Sequence, residues 1–152
     1  MIKKLTFAAI SALILGGCST VPLELPSASE TAKNFETPPN GQAGLYIYRD
    51  SVVGTALKKD IWVDGKCVGE TAPNVFFYET VKGDEEHKIS TESEFSPNDL
   101  VLKTDSGKNY FIRQYIKLGV FVGGANLELV NDTKGQQAIS KLKLAKKGAC
   151  SK

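Results

Sequence analysis

The stretch Ile61-Trp-Val-Asp-Gly-Lys-Cys-Val-Gly-Glu70 places an Asp-Gly pair between two short apolar runs. An Asp-Gly pair in this setting favours a two-residue type I′ turn, in which both residues take positive φ. The two flanking runs are then joined by the tightest connection that an antiparallel pair allows. The sequence therefore predicts a β-hairpin at this point.

Further strand-length runs, rich in β-branched and aromatic residues, lie on both sides of this hairpin. They cover residues 45–48, 74–80, 87–91, 100–104, 109–117 and 125–130. Polar turns at 82–86 and 105–108 suggest that the runs flanking each turn also pair as hairpins. Short, evenly spaced strands predict a small antiparallel β-sandwich or barrel, forming one globular domain over residues 43–152.

A change of periodicity follows the last run. Ala138, Ile139, Leu142 and Ala145 recur at helical spacing, and Thr133 begins a sequence typical of a helix capping box. We expect a short amphipathic helix to end the domain. The apolar, glycine-rich stretch 119–124 is open to three interpretations: a strand ending in a tight turn, a bulge, or a loop that touches a membrane.

The amino terminus has the three parts of a signal peptide. Two lysines follow the initiating residue, an apolar run covers 5–15, and two glycines precede Cys18. A membrane-spanning helix needs roughly 20 apolar residues, so this run is too short for one. We expect residues 1–17 to be removed on export.

Leu15-Gly-Gly-Cys18 resembles the lipobox of bacterial lipoproteins. The resemblance implies cleavage between Gly17 and Cys18, a diacylglycerol thioether on the Cys18 sulfur, and an acyl chain such as palmitate on the new amino group. No other cofactor is expected. Ser19 resembles the sorting pattern of outer-membrane lipoproteins in Gram-negative cells, with the domain facing the periplasm. An ordinary secretory signal with a chance cysteine is the alternative.

Residues 18–42 are rich in proline and polar residues and have no sustained apolar period. They are predicted to form a flexible tether between the lipid and the domain. The alternative is a partly ordered arm packed on the domain. Without Lys3 and Lys4 the chain keeps 17 basic and 17 acidic residues. It therefore lacks the positive surplus that is typical of a nucleic-acid-binding protein.

The runs Gly44-Leu-Tyr-Ile-Tyr-Arg49, Ile61-Trp-Val-Asp-Gly-Lys66 and Ala125-Asn-Leu-Glu-Leu-Val130 together resemble a bacterial lipoprotein family known as domain of unknown function 2846. The likeness covers about residues 41 to 144. The hairpin is also similar to PEGA-type β-domains, although the Pro-Glu-Gly-Ala segment of that motif is missing. Neither resemblance implies an activity or a set of functional residues.

The remaining cysteines, Cys67 and Cys150, are predicted to form a disulfide, as is common outside the cytoplasm. Two free thiols are the alternative. His87 is the single histidine, which leaves neither a Cys-His nor a serine triad well supplied and gives no metal-ligand set. The chain is therefore interpreted as a protein that is not an enzyme.

Tyr46, Tyr48, Trp62 and Tyr78 are candidate members of a binding surface, because aromatic residues combine contact area with a polar tip. Filling the core is the alternative for them. The sequence favours a lipid-anchored envelope protein that binds a partner, an envelope protein or a glycan, or that supports an assembly. A small periplasmic hydrolase or hydrolase inhibitor is the alternative function.

Overall fold

A computed structural model describes residues 18–95, 97–119, 121 and 123–151. The predicted signal peptide over residues 1–17, including Gly17 of the cleavage site, lies outside the described residues. The elements in chain order are α1 (Pro26–Ala32), β1 (Gln42–Arg49), β2 (Lys59–Val63), β3 (Lys66–Thr71), β4 (Val75–Lys82), β5 (Glu86–Thr91), β6 (Asn98–Lys103), β7 (Asn109–Lys117), β8 (Gly124–Val130), α2 (Asp132–Ile139) and β9 (Lys143–Leu144).

The strands form two sheets, which confirms the predicted mainly β class. One sheet has five strands in the order β8-β7-β1-β4-β9, and the other has four in the order β3-β2-β5-β6. The five-stranded sheet is mixed, because β1 runs parallel to β7 and β4 runs parallel to β9. The expectation of purely antiparallel strands holds only for the four-stranded sheet.

The β2–β3 hairpin forms as the Asp-Gly pair predicts. Asp64 has φ 50° and Gly65 has φ 76°, the left-handed backbone that a type I′ turn requires at both positions. The pairing shifts register between Ile61 and Trp62. A bulge of this kind bends the strand and adds twist.

The other two predicted hairpins are wrong. β4 pairs with β1, whereas β5 pairs with β2 and β6; β6 and β7 likewise belong to different sheets. The polar turns therefore carry the chain from one sheet to the other. They also hold each other, since the Ser106 N–H donates to Oδ1 of Asp84 at 3.1 Å.

The space between the sheets contains the main apolar core, to which both sheets contribute. Its buried members are Leu45, Ile47, Ile61, Val63, Val68, Val75, Phe77, Ile89, Leu102, Ile112, Leu127 and Ala145. Their alternation along each strand is the period of two that a sandwich requires. β1 is buried on both faces, because its intervening residues enter a second core on the outer side of the five-stranded sheet.

The segment predicted as a flexible tether is instead an ordered arm, here called the arm (residues 19–41). Leu23 forms a β-bridge with Ala145, and α1 buries Ser29. The Ser29 hydroxyl accepts the Leu144 N–H at 3.2 Å. These contacts correct the tether prediction, because the arm finds both backbone partners and apolar contacts on the domain.

The predicted carboxyl-terminal helix exists but is shorter than its apolar period. α2 is capped by Asn131, whose side chain accepts the Lys134 N–H at 3.0 Å, and not by the expected box at Thr133. The chain leaves the helix at Ser140 and then adds β9 beside β4. Leu142 and Ala145 are buried, as their spacing suggested, but from outside a helix.

Candidate functional site

The structure places the candidate lipid-attachment residue at one end of the sandwich. Cys18 is exposed and is not part of the disulfide. The next residue is fixed to the domain, because both the N–H and the hydroxyl of Ser19 donate to the carbonyl of Thr55, at 2.9 and 2.8 Å. A group attached to the Cys18 sulfur would thus emerge directly beside the 51–58 loop.

That loop is held by a buried arginine. The Arg49 guanidinium is fully buried and donates to the carbonyls of Leu57 at 2.6 Å and Gly54 at 2.5 Å. Burial lowers the pKa of this guanidinium, but carbonyl dipoles replace part of its lost hydration. The position of Ser19, and with it the exit of Cys18, therefore depends on a buried cation.

Cys67 and Cys150 are joined in a disulfide, with Cα atoms 5.9 Å apart. The carboxyl-terminal tail beside it is fixed further, because the Ser151 N–H and hydroxyl both donate to Oδ2 of buried Asp60 at 2.9 Å. The Gly148 N–H donates to the carbonyl of Val68 at 3.0 Å. The tail is thus attached along the β2–β3 hairpin.

The four aromatic candidates do not form a binding surface. Tyr46 and Tyr48 are each only 2% exposed, and Tyr78 packs on Tyr46 with ring centroids 4.6 Å apart. Trp62 lies in the opposite sheet. The prediction is corrected for a physical reason: the arm and α2 cover the outer face of the five-stranded sheet, so side chains facing away from the sandwich are still buried.

Sequence reasoning missed the partners of these tyrosines. Phe35 of the arm packs edge-on against Tyr46 and Phe111, at 5.3 and 5.7 Å between centroids. The Tyr46 hydroxyl donates to the carbonyl of Ala32 at 2.8 Å. Burial, with the nearby phenol of Tyr78, raises the pKa of Tyr46. A lone phenylalanine among polar residues was the available signal that the arm packs.

A cleft of about 660 Å³ lies beside α2 and contains an ion-pair network. Arg113 contacts two carboxylates, Nε to Oδ1 of Asp50 at 2.7 Å and one terminal nitrogen to Oε1 of Glu128 at 3.1 Å. Burial, followed by the charge of Asp50, raises the pKa of Tyr48 in this cleft to about 12. The phenol of Tyr48 therefore stays protonated. The positive charge of Arg113 is already balanced by the two carboxylates that it contacts.

His87 is buried between two acceptors. Its Nδ1 lies 2.7 Å from Oδ2 of Asp64, and its Nε2 lies 2.8 Å from the carbonyl of Lys82. Burial alone would lower its pKa, but these hydrogen bonds and the charges of Asp64 and Glu85 outweigh burial and raise it. Because both nitrogens face acceptors, the imidazolium form is favoured, and this is unsuited to a general base.

Two acidic residues that follow β5 hold neighbouring segments through their carboxylates. Glu92 accepts the Asp60 N–H at 3.0 Å, and Glu94 accepts the Phe121 N–H at 2.5 Å. Across the described part of the chain, no three His, Cys, Asp or Glu residues are grouped so that they could hold a metal ion. Neither helix in those residues has the apolar length to cross a bilayer.

These features define a disulfide-bonded domain of two packed β-sheets, whose outer aromatic layer lies beneath an amino-terminal arm. The chain belongs to the family described as "Protein of unknown function (DUF2846)", whose model matches residues 39–125. It is 63% identical over 134 residues to an uncharacterized protein of Haemophilus influenzae, covering 88% of this chain and 79% of that protein. No solved structure matches the chain. The family resemblance is confirmed, whereas the PEGA similarity stays a prediction.

Proposed function

We propose that this protein is a lipid-anchored component of the cell envelope, whose β domain faces the periplasm and acts as a binding or structural module. The anchor is a diacylglycerol thioether and an N-acyl chain on Cys18. One observation carries the proposal: Leu15-Gly-Gly-Cys18 directly follows a basic start and an apolar run too short to span a bilayer. The sorting resemblance at Ser19 favours the outer membrane.

Two structural features support this proposal. Cys18 is exposed, so an acylating enzyme and a lipid would meet no obstruction from the domain. The Cys67–Cys150 disulfide is typical of a protein that folds in an oxidising compartment such as the periplasm. Two or three acyl chains together would hold the protein on a membrane essentially permanently, since each buried methylene contributes about 0.8 kcal/mol.

The proposed role is not enzymatic. His87, the residue best suited to acid-base chemistry, has both nitrogens engaged by Asp64 and the carbonyl of Lys82. Cys67 is bonded to Cys150 and is not available as a nucleophile. A binding or assembly role with an envelope protein or a glycan therefore ranks above the hydrolase or inhibitor alternative. Cross-linking in intact cells, followed by recovery of one partner in fixed ratio, would support it.

Metabolic labelling with an alkyne fatty acid tests the anchor. The native chain should carry the label, and Cys18→Ser should carry none because serine cannot form the thioether. Cys67→Ser is the matched control, since it replaces a cysteine that is bonded to Cys150 and should leave the label per molecule unchanged. Absence of label on the native chain would refute the proposal.

A further inference from the structure

Three loops at the Cys18 end of the sandwich expose large apolar side chains. They are the 51–58 loop, the segment between β5 and β6, and the loop between β7 and β8. Five of the nine exposed large apolar side chains in the described residues lie on them. This group, here called the apolar end, consists of Val52, Val53, Phe95, Leu118 and Phe121, exposed by 82, 49, 79, 92 and 83%.

Direct contacts place the three loops together. A Cβ added at Gly123 would lie 2.7 Å from a methyl carbon of Leu57, so the β7–β8 loop passes close to the 51–58 loop. The Phe121 N–H donates to Glu94 of the β5–β6 segment at 2.5 Å. Ser19 is hydrogen-bonded to the first of these loops. The apolar end and the lipid-attachment residue therefore share one end of the molecule.

We propose that the apolar end is a second membrane contact, inserted into the same leaflet that holds the lipid on Cys18. This inference rests on the proposed function, because it takes the acyl chains on Cys18 as given. One residue of chain spans at most about 3.6 Å, and Ser19 is already fixed to the domain. The lipid therefore cannot enter a bilayer without bringing these loops to its surface.

The ordered arm strengthens this argument. A flexible tether of the predicted length would let the domain stand roughly 25–30 Å from the bilayer, where exposed apolar loops would have no lipid to contact. The arm instead runs back along the domain from Ser19, with Leu23 bridged to Ala145. The amino terminus thus contributes almost no free length between lipid and domain.

Charge at this end favours insertion driven by apolar area over attraction to anionic lipid. Lys59 faces Glu92 at 3.9 Å, and Lys58 faces Glu70 at 3.7 Å. The Glu94 carboxylate is occupied by the Phe121 N–H. Because acidic residues balance these lysines, contact of the apolar end with the membrane should change little with the fraction of anionic lipid. Contact made by a polybasic surface would increase with that fraction.

The proposal also fixes the orientation of the domain. β2 leads away from the 51–58 loop and ends at the Asp64-Gly65 turn, about 16 Å further along at the usual rise per residue. That turn should point into the periplasm. His87 and the Cys67–Cys150 disulfide flank the same region, so they should remain in water.

Depth-dependent fluorescence quenching tests the proposal on the purified, lipidated protein. Phe121→Trp places a reporter at the apolar end, and Lys66→Trp places a matched reporter on the exposed far hairpin. The native protein supplies the background emission of Trp62. Each protein is reconstituted into phosphatidylcholine vesicles with and without brominated acyl chains. A second set of vesicles also contains about 20% phosphatidylglycerol, an anionic lipid.

The expected result is that the added emission of the Phe121→Trp protein shifts to the blue and is mostly quenched by brominated lipid, equally in both compositions. The added emission of the Lys66→Trp protein should be unchanged. If the protein has the mass of the lipidated form but its Phe121→Trp reporter is not quenched, this inference is overturned while the anchor stands. The apolar end would then be assigned to a protein partner. A chain of unlipidated mass would overturn the proposed function as well. An unaltered thermal transition confirms that each variant is folded.

Discussion

Removing the Cys67–Cys150 disulfide should cost a large part of the domain's stability. The bridge joins residues separated by 83 positions. In the chain-entropy description, closing a loop of that length restricts the unfolded chain enough to stabilise the folded state by about 4–5 kcal/mol at 25 °C. Most single domains have a free energy of unfolding of only about 5–15 kcal/mol, so the double variant Cys67→Ser/Cys150→Ser should be close to its stability limit.

Urea unfolding followed by the emission of Trp62 measures this effect. The free energy of unfolding of the oxidised native protein should be about 4–5 kcal/mol larger than that of the double variant. A reducing agent should lower the value of the native protein to that of the variant. The same agent added to the double variant serves as the control and should change nothing. A difference below about 1 kcal/mol would refute the reasoning, because the tail would then owe its place to its hydrogen bonds with Asp60 and Val68.

Three further changes are expected to have measurable effects. Gly135→Ala should lower the thermal midpoint, because a Cβ there would collide with the ring of Phe111 at about 1–3 kcal/mol, outweighing the helix propensity gain of about 1 kcal/mol; a raised midpoint would contradict this. Because the pKa of His87 is raised in the folded protein, the protonated imidazole stabilises the fold, fully so below about pH 6.5. This stabilisation is lost as the pH rises through the folded pKa. Urea titrations across this range should therefore show a fall in the free energy of unfolding of the native protein that His87→Gln lacks. An equal fall in both proteins would exclude the His87–Asp64 contact as its cause. Arg49→Lys should cost about 2–3 kcal/mol, since one ammonium cannot serve the carbonyls that the guanidinium serves, and amide exchange in the 51–58 loop should accelerate; unchanged exchange would argue against that role.

The sequence predicts strands and one tight turn correctly, but it does not determine which distant strands pair. The Asp64-Gly65 turn is determined by two adjacent residues, so the β2–β3 hairpin could be predicted. The parallel pairing of β1 with β7 joins Gly44 to Asn109, and such a distant pairing leaves no mark in either segment. The turns around Asp84 and Ser106 have hairpin chemistry but connect the two sheets, because packing both apolar faces decides the pairing.

The errors about the tether and about the exposed tyrosines share one cause. Pro26, counted as a sign of a flexible tether, occupies the start of α1, where its fixed φ is compatible with a helix. Phe35 then packs on the outer aromatic layer. Tyr46 and Tyr48 were assigned to a surface because a sandwich leaves one face of each sheet outside. That face is covered by segments whose docking the sequence pattern alone does not reveal.

The candidate site was only partly predictable. Cys18 is marked by a local motif, and the pairing of Cys67 with Cys150 was predicted from their number and the expected compartment. Only one part of the apolar end was read from the sequence, in the interpretation of residues 119–124 as a loop that touches a membrane, because its three loops are distant in sequence. The exposure of Phe95 and Phe121 and their closeness to Ser19 emerge only once the loops are brought together.

The mass of the mature amino-terminal peptide tests the central claim most directly. Protein purified from envelopes should yield a peptide that begins at Cys18 and carries the added mass of a diacylglyceryl group and one acyl chain. An unmodified peptide containing an intact Gly17–Cys18 bond, or one that begins at another residue, would contradict the account.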